Sequence, residues 1–192
     1  MMILVTGTPC VGKTSVARLL ARELDASYIG LTGMAFHENL VLGEDVERGS
    51  AIVDEEGMRR RIGDIAEGAE KDNIVVDGHY AVNVVPEGIA TRVFVLRRDP
   101  VELRKFMERC GFSGRKLWEN LACEILDVCL SDALNVYEEA KVCELDVTGR
   151  SVEGVVTQIL DILNGSGECR SGVVDWLGKL EDKGLLEEFL RL

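Results

Sequence analysis

The sequence predicts an α/β fold: a five-stranded, parallel, doubly wound sheet flanked by helices. Two observations support this prediction. Short apolar runs alternate with longer segments in which apolar residues recur every three or four positions, which is the order of βαβ units. The length of 192 residues and the apolar fraction of 46% suit one such domain with a small appendage, and they exclude a disordered chain.

The five predicted strands are the apolar runs at 2–6, 27–29, 73–77, 92–96 and 142–145. Helices are predicted between them, because apolar positions there share one helix face. Asp54 and Ser151 are placed to cap two of these helices. The longest helix is predicted to run from Leu117 to Tyr137.

The chain is predicted to consist of one domain with a short tail. The domain spans 1–164, a glycine- and serine-bearing linker follows at 165–172, and 173–192 forms a helical appendage. Two roles are open for the appendage: docking on the domain, which we favour, or binding a partner.

The net charge and the cysteine content limit the possible functions of the protein. The net charge of −12 argues against broad nucleic-acid binding and suits a basic partner. The six cysteines form no CxxC pair and have no histidine at metal-ligand spacing, so reduced thiols are predicted and a zinc site is not. Neither a membrane span nor a signal peptide is predicted, and the protein is expected to be cytoplasmic.

A glycine-rich loop follows the first predicted strand. Its residues Gly7 to Thr14 fit the pattern G-x-x-x-x-G-K-[ST] and precede a predicted helix. Glycines let several backbone N–H groups converge on phosphate oxygens, and the helix directs its positive dipole end to the same place. Lys13 is expected to reach the β- and γ-phosphates and Thr14 to ligate Mg²⁺, so the loop predicts binding of ATP or a similar triphosphate.

A carboxylate, Asp77, closes the third predicted strand, and His79 follows it. Ligands bind at the carboxyl ends of parallel strands, so Asp77 is expected to hold Mg²⁺ through a water molecule. His79 is a candidate for orienting or deprotonating an attacking water, or for contacting the γ-phosphate; a satisfied turn histidine is an equal alternative. The other histidine, His37, is expected to be structural or exposed.

Basic residues gather after the fourth predicted strand, in a chain that is otherwise acidic. A glycine-bearing loop at 110–114 separates two predicted helices there. Such a loop can close over a nucleotide and supply an arginine, so we favour a short lid over a solvated helix face paired with Glu102 and Glu108. The cluster comprises Arg97, Arg98, Arg104, Lys105, Arg109, Arg115 and Lys116.

Four stretches, 7–15, 75–79, 93–97 and 108–125, together resemble the adenylate kinase isoenzyme six family in its archaeal form. The likeness covers roughly 1–163, and 109–125 is its most specific part. The resemblance implies a P-loop NTPase fold of the nucleoside monophosphate (NMP) kinase type, with an NMP-binding insertion at about 30–53 and a lid at about 108–118. It also implies broad-specificity NMP kinase activity with ATP hydrolysis, and a role in small ribosomal subunit maturation through a platform ribosomal protein.

The resemblance further implies roles for individual residues. Asp77 and His79 would form a Walker-B-like pair, and Arg109 would be the lid arginine on ATP. The catalytic candidates are therefore Lys13, Asp77, His79 and Arg109. The residues expected on ATP are Cys10, Gly12, Lys13, Thr14, Ser15, Arg109 and Arg150, with Arg150 where the chain passes the adenine. Mg²⁺ is expected on Thr14 and, through water, on Asp77.

The chain departs from the family pattern on the acceptor side. No arginine follows Asp77 within 78–83, where ordinary adenylate kinases grip the monophosphate, and Arg48 is the only arginine or lysine of the insertion. Transfer to AMP is therefore expected to be slow, with water as a rival acceptor. Cys10 stands where the family often has glycine, so its side chain is expected to point away from the phosphates. A kinase of another small metabolite and a nucleotide-locked binding module remain alternatives.

Overall fold

A computed structural model describes residues 1–45, 50–68 and 73–190 of the chain. Five parallel strands form one sheet in the order β2-β5-β1-β6-β7, which confirms the predicted fold class. The strands of this sheet are β1 (Met2–Thr6), β2 (Ser27–Gly30), β5 (Ile74–Asp77), β6 (Ala90–Arg97) and β7 (Val142–Asp146). A separate antiparallel hairpin consists of β3 (Val41–Asp45) and β4 (Ser50–Val53).

Ten α-helices occur in the described residues, and most of them cover the two faces of the sheet. They are α1 (Lys13–Glu23), α2 (Leu31–His37), α3 (Glu55–Gly68), α4 (Ala81–Val84), α5 (Pro100–Arg109), α6 (Gly114–Ile125), α7 (Val128–Val136), α8 (Val152–Leu163), α9 (Trp176–Asp182) and α10 (Leu186–Phe189). No described helix combines the length and the apolar character that crossing a bilayer requires.

Strand β1 shows how the sheet divides the core into two layers. Its side chains alternate, so Ile3 and Val5 pack with α1, α5, α6 and α8, whereas Met2 and Leu4 pack with α2, α3, α4 and α7. All four of these side chains are buried. A strand covered on both faces reads as a continuous apolar run, which is why the sequence shows no alternation here.

The insertion at 30–53 contains a hairpin that the sequence analysis did not predict. Helix α2 comes first, and β3 pairs with β4 through Val41↔Val53 and Asp45↔Ser50. Strand β3 is largely exposed and carries glycine and two acids, so it lacks the apolar run that identified the sheet strands. The expectation for Arg48 lies outside the described residues.

The prediction of one long helix from Leu117 to Tyr137 is wrong. The chain breaks between α6 and α7, where Asp127 adopts a left-handed conformation with φ 57°. The Asp127 carboxylate accepts a hydrogen bond from buried Arg97, which fixes the turn at that point. Both predicted helix caps are confirmed: Asp54 accepts from Gly57 N at 2.9 Å, and Ser151 accepts from Gly154 N at 3.1 Å.

The prediction that all cysteines are reduced is also wrong. Cys143 of β7 forms a disulfide with Cys169, and the other four cysteines are free. The cause is the path of the segment at 165–172, which runs back beside β7, where Glu144 N donates to Arg170 O at 2.8 Å. This brings the two cysteine Cα atoms to 4.8 Å, within the range that a disulfide requires.

The C-terminal helices α9 and α10 lie against the domain. Trp176, Leu180 and Phe189 are each no more than 3% exposed. Phe189 contacts Trp118 of α6 edge to face, with ring centroids 6.3 Å apart. Lys179 Nζ lies 2.8 Å from the carboxylate of Asp99, the residue that caps α5. The appendage therefore packs on the two helices that flank the loop at 110–113.

Candidate active site

The glycine loop connects β1 to α1 and has the backbone conformation that its glycines permit. Gly7 and Gly12 have φ values of 133° and 109°, which L side chains rarely adopt. A Cβ atom at Gly7 would also lie 2.4 Å from Leu96 O, so the neighbouring strand leaves no room for a side chain. The loop therefore packs closely onto the carboxyl end of β6.

Cys10 sits in this loop with φ 68° and packs its side chain against the core below it. Its thiol lies beside that of Cys110, in the loop after α5. Burial, together with this neighbour, raises the pKa of Cys10 to about 12. Cys10 is therefore a neutral thiol in contact with the predicted lid.

Lys13 lies over the loop and is held by the loop's own carbonyls. Its Nζ donates to Gly7 O and to Thr8 O, both at 2.8 Å. Burial lowers the pKa of Lys13, and the nearby Cys129 and Asp77 only partly oppose this effect. The ammonium group thus stands where the loop's N–H groups would meet a phosphate chain.

Asp77 joins the loop to two strands. It ends β5 and is in register with Val5 of β1 and Gly30 of β2. Its Oδ2 accepts from the Thr14 hydroxyl at 2.6 Å, and its Oδ1 accepts from the Tyr28 hydroxyl at 2.9 Å. Tyr28 was not predicted as a site residue, because no motif includes that position.

The side-chain oxygens of Thr14 and Asp77 are suitable ligands for a magnesium ion. Mg²⁺ prefers hydroxyl, carboxylate, water and phosphate oxygens, and it usually takes only one or two protein ligands. Thr14 and Asp77 offer one hydroxyl and one carboxylate, side by side at the edge of the phosphate loop. In the part of the chain that the structure describes, no group of three or more His, Cys, Asp or Glu side chains could hold a metal by itself.

His79 borders three cavities. It lines a cavity of about 660 Å³ with Lys13 and Asp77, one of about 340 Å³ beside the insertion, and one of about 750 Å³ against α6. Burial lowers the pKa of His79 to about 4, and the positive charges of Lys13 and Lys116 add to this effect. The imidazole is therefore neutral at neutral pH, which is the form that can accept a proton.

The largest share of the predicted site meets in the first of these cavities. Lys13, Thr14, Asp77 and His79 all line it, and its volume is typical of a site for a nucleotide-sized ligand. Two further lining residues extend the predicted set: Arg18 of α1, and His37 of α2, which is exposed as expected but faces this cavity.

Five residues predicted on ATP lie outside this cavity's lining: Cys10, Gly12, Ser15, Arg109 and Arg150. Ser15 is exposed on α1. Arg109 is exposed at the end of α5, with its guanidinium 5.8 Å from the Phe106 ring centroid. Arg150 donates to the Gly154 carbonyl at 2.9 Å and to Gln158, so it is held by its own turn and by α8.

The basic cluster predicted after β6 is not one surface patch. Arg97 is 1% exposed and pairs with Glu124 at 2.9 Å, with Glu144 at 2.5 Å and with Asp127. Arg98 turns toward the phosphate loop and donates to Val11 O at 3.2 Å. The end of β6 therefore supports the phosphate loop from below, and its two arginines do not join the rest of the cluster at the surface.

Glu124 is the buried centre of this support, and the sequence analysis did not single it out. Its Oε2 accepts from the Thr8 hydroxyl of the loop at 2.5 Å. Its Oε1 accepts from Arg97 Nε at 2.9 Å, from Arg98 N at 3.0 Å and from Trp176 Nε1 at 3.0 Å. A carboxylate that is 1% exposed therefore joins the loop, β6, α6 and the C-terminal appendage.

Comparison with known proteins identifies relatives of this chain. A family model described as "AAA domain" matches residues 3–127. A protein of Methanocaldococcus jannaschii named "Putative adenylate kinase" is 35% identical, covering 97% of this chain and 99% of its own. A protein of the same name from Pyrococcus furiosus is 36% identical, covering 95% and 94%.

Similar solved structures support the fold alone. A shikimate kinase from Acinetobacter baumannii superposes with a TM-score of 0.59 at 15% identity, covering 85% of this chain and 93% of the other. Thymidylate kinase from Candida albicans superposes with a TM-score of 0.53 at 14% identity, covering 85% and 91%. At such low identity, the shared feature is the architecture around the phosphate loop.

Proposed function

The chain belongs to the family of archaeal proteins named "Putative adenylate kinase", and we propose that it transfers the γ-phosphoryl group of MgATP to nucleoside monophosphates, AMP among them, with water as a competing acceptor. That it is an adenylate kinase-like P-loop kinase follows from this membership and from the fold. The observation that carries the finer proposal is the meeting of Lys13, Thr14, Asp77 and His79 in one cavity.

In this proposal the phosphate loop does most of the work by electrostatics and positioning. Lys13 and the loop N–H groups neutralise the phosphate chain, and Thr14 and Asp77 would hold Mg²⁺, with Asp77 acting through water. Bound there, the ion would offset the charge that develops on the transferred group. Cys10, Gly12 and Ser15 belong to the same loop and helix start.

The remaining domain assignments belong to the same proposal. Residues 1–164 form the catalytic domain, the insertion at 30–53 covers the acceptor, and the lid at 108–118 closes over ATP. Phe112 and Lys116 of this lid already line a cavity together with Pro9 of the loop, which supports that direction of closure. Closure brings Arg109 to the nucleotide, and Arg150 lies near the adenine.

Hydrolysis is the second half of the proposal, and His79 supports it. A neutral imidazole at the junction of three cavities can orient a water or accept its proton. The stretch 78–83 contains no arginine, so the acceptor side gives a monophosphate less support than it has in ordinary adenylate kinases. Water then competes with the nucleotide for the phosphoryl group.

A ribosomal partner completes the proposal. The net charge of −12 suits contact with a basic ribosomal protein, and the family resemblance points to one on the small-subunit platform. ATP binding and hydrolysis would then switch the affinity for that partner during subunit maturation. If both the hydrolysis rate and the ATP affinity stay unchanged in the presence of the purified platform protein, this part of the proposal fails.

The kinase is tested by measuring ADP formation from ATP with each NMP in turn. We expect ADP above the hydrolysis background for at least AMP, and Lys13→Ala should abolish both activities. Lys105→Ala, on the exposed side of α5, is the matched control and should keep both. No ADP above background with any NMP would refute NMP kinase activity, and phosphorylation of another metabolite in the same assay would replace it.

A further inference from the structure

Arg18 of α1 faces the cavity that holds the candidate active site. It follows Thr14 by four residues, so both side chains project from the same face of the helix, about 6 Å apart along its axis. Arg18 lines the same cavity as Lys13 and Asp77. A guanidinium one helical turn from the proposed magnesium ligand is within reach of a phosphate that enters beside it.

The guanidinium of Arg18 is not neutralised by a carboxylate. Within residues 1–45, 50–68 and 73–190 it forms no ion pair; it lies over the Tyr28 ring, 5.3 Å from the centroid. Other arginines of this acidic chain do pair, including Arg22 with Glu23 on the same helix and Arg61 with Glu38 at the cavity rim. An exposed, uncompensated cation that lines a nucleotide-sized cavity is placed to bind an anion.

Among the charged residues that line the cavity, one cation remains available to bind the acceptor's phosphate. Lys13 serves the donor phosphates, and the Mg²⁺ ion would offset Asp77. Glu38 also lines the cavity, but Arg61 lies 2.6 Å from it and balances its charge. Neither 78–83 nor α2 contains an arginine or lysine. Arg18 is then the remaining cation among the residues that line this cavity.

We propose that Arg18 binds the phosphate of the acceptor and so sets the enzyme's affinity for nucleoside monophosphates. This inference rests on the proposed kinase function and names the residue that replaces the absent arginine at 78–83. Arginine suits this role because its planar group donates two parallel hydrogen bonds to a phosphate. The face of the Tyr28 ring supports the guanidinium from the other side.

A purely structural role is the competing explanation. The Tyr28 hydroxyl donates to Asp77, so Arg18 could act only by fixing Tyr28 and, through it, the magnesium ligand. In that case loss of Arg18 would impair the use of ATP and of AMP alike. A role on the acceptor phosphate predicts instead that the KM for AMP changes while the KM for ATP does not.

The experiment compares Arg18→Met with wild type in initial rates of ADP formation, with AMP varied at saturating MgATP and then the reverse. The KM for AMP should rise at least about tenfold, because a charge-assisted hydrogen bond is lost, and the KM for ATP should stay within about twofold. Arg18→Lys should recover part of the loss. Arg22→Met, one turn further along and 76% exposed, is the matched control and should leave both constants unchanged.

Three results would overturn the proposal: an unchanged KM for AMP, equal increases for AMP and ATP, or the same AMP defect in Tyr28→Phe, which keeps the ring but not the hydroxyl. Equilibrium binding of AMP to wild type and Arg18→Met separates this inference from the kinase proposal. If the wild type makes no ADP from any NMP, the kinase proposal fails on its own. A tenfold weaker binding of AMP to the variant would then still support Arg18 as the phosphate site, and equal binding would refute it.

Discussion

Replacing Glu124 tests what stabilises the buried network beneath the phosphate loop: the hydrogen bonds that this carboxylate accepts, or its negative charge. Glu124 accepts hydrogen bonds from Thr8, Arg97, Arg98 and Trp176. Glu124→Ala removes the acceptor of four donor groups, in a site that is 1% exposed: the Thr8 hydroxyl, Arg97 Nε, Arg98 N and Trp176 Nε1. A buried donor left unpaired costs about 1–3 kcal/mol, so even with partial hydration we expect the free energy of unfolding to fall by about 4 kcal/mol or more.

Glu124→Gln should be much milder. The amide oxygen can take the position of Oε1, and the amide NH₂ can donate to the Thr8 hydroxyl, which accepts as readily as it donates. The lost negative charge matters little, because Glu144 and Asp127 still pair with Arg97. We expect a loss of about 1 kcal/mol, close to the value for one ordinary hydrogen bond.

The assay is chemical denaturation of both variants beside wild type. Trp176→Phe is the control, because it removes one donor and keeps an aromatic ring, and it should cost about 1 kcal/mol. Equal losses for Glu124→Ala and Glu124→Gln would show that charge dominates, and the reasoning from hydrogen-bond capacity would be wrong. A loss below about 1 kcal/mol for Glu124→Ala would contradict it as well.

Four further predictions concern the site and the disulfide. Because the pKa of His79 is lowered to about 4, the rate of the proposed His79-dependent hydrolysis should stay constant from pH 8 to pH 5 and fall only near pH 4. A midpoint near the ordinary histidine value would contradict this. Between the pKa of His79 in the folded chain, about 4, and the ordinary histidine value of 6.5, the unfolded chain binds more protons than the folded one. The free energy of unfolding should therefore decrease as the pH falls from 6.5 to about 4, and His79→Asn should remove this contribution. Asp77→Asn should raise the Mg²⁺ concentration needed for half-maximal activity by about tenfold or more, measured by magnesium titration at fixed ATP, whereas an unchanged requirement would remove Asp77 from the metal site. Reduction of the Cys143–Cys169 disulfide, which closes a sequence separation of 26, should lower the free energy of unfolding by about 3 kcal/mol, and Cys169→Ser should make stability insensitive to reductant.

Much of this site could be predicted from the sequence, because its chemistry is local. The phosphate loop has fixed spacing, and Asp77 ends an apolar run, so both could be placed at the carboxyl edge of a parallel sheet. Tyr28 and Glu124 could not be placed in this way. Each becomes part of the site only through contacts between elements far apart in sequence, and no spacing rule encodes such contacts.

The errors have similar physical causes. Arg97 was assigned to the basic cluster after β6 because its neighbours in sequence are basic, yet the fold surrounds it with three carboxylates. The turn at Asp127 interrupts a good helical pattern, because tertiary pairing outweighs local propensity. The disulfide depends on the return of 165–172 beside β7, which the polar, glycine-bearing composition of that segment does not reveal.

Helix α6 connects the proposed lid to the phosphate loop. It has 12 residues and so is about 18 Å long. Lys116 and Glu119 in its first half line the cavity against the loop, whereas Glu124 near its end accepts from the Thr8 hydroxyl. If the proposed lid closes and the packed helix moves as a unit, the shift would reach Thr8 through Glu124. The appendage donates to the same carboxylate through Trp176, so it would oppose that shift.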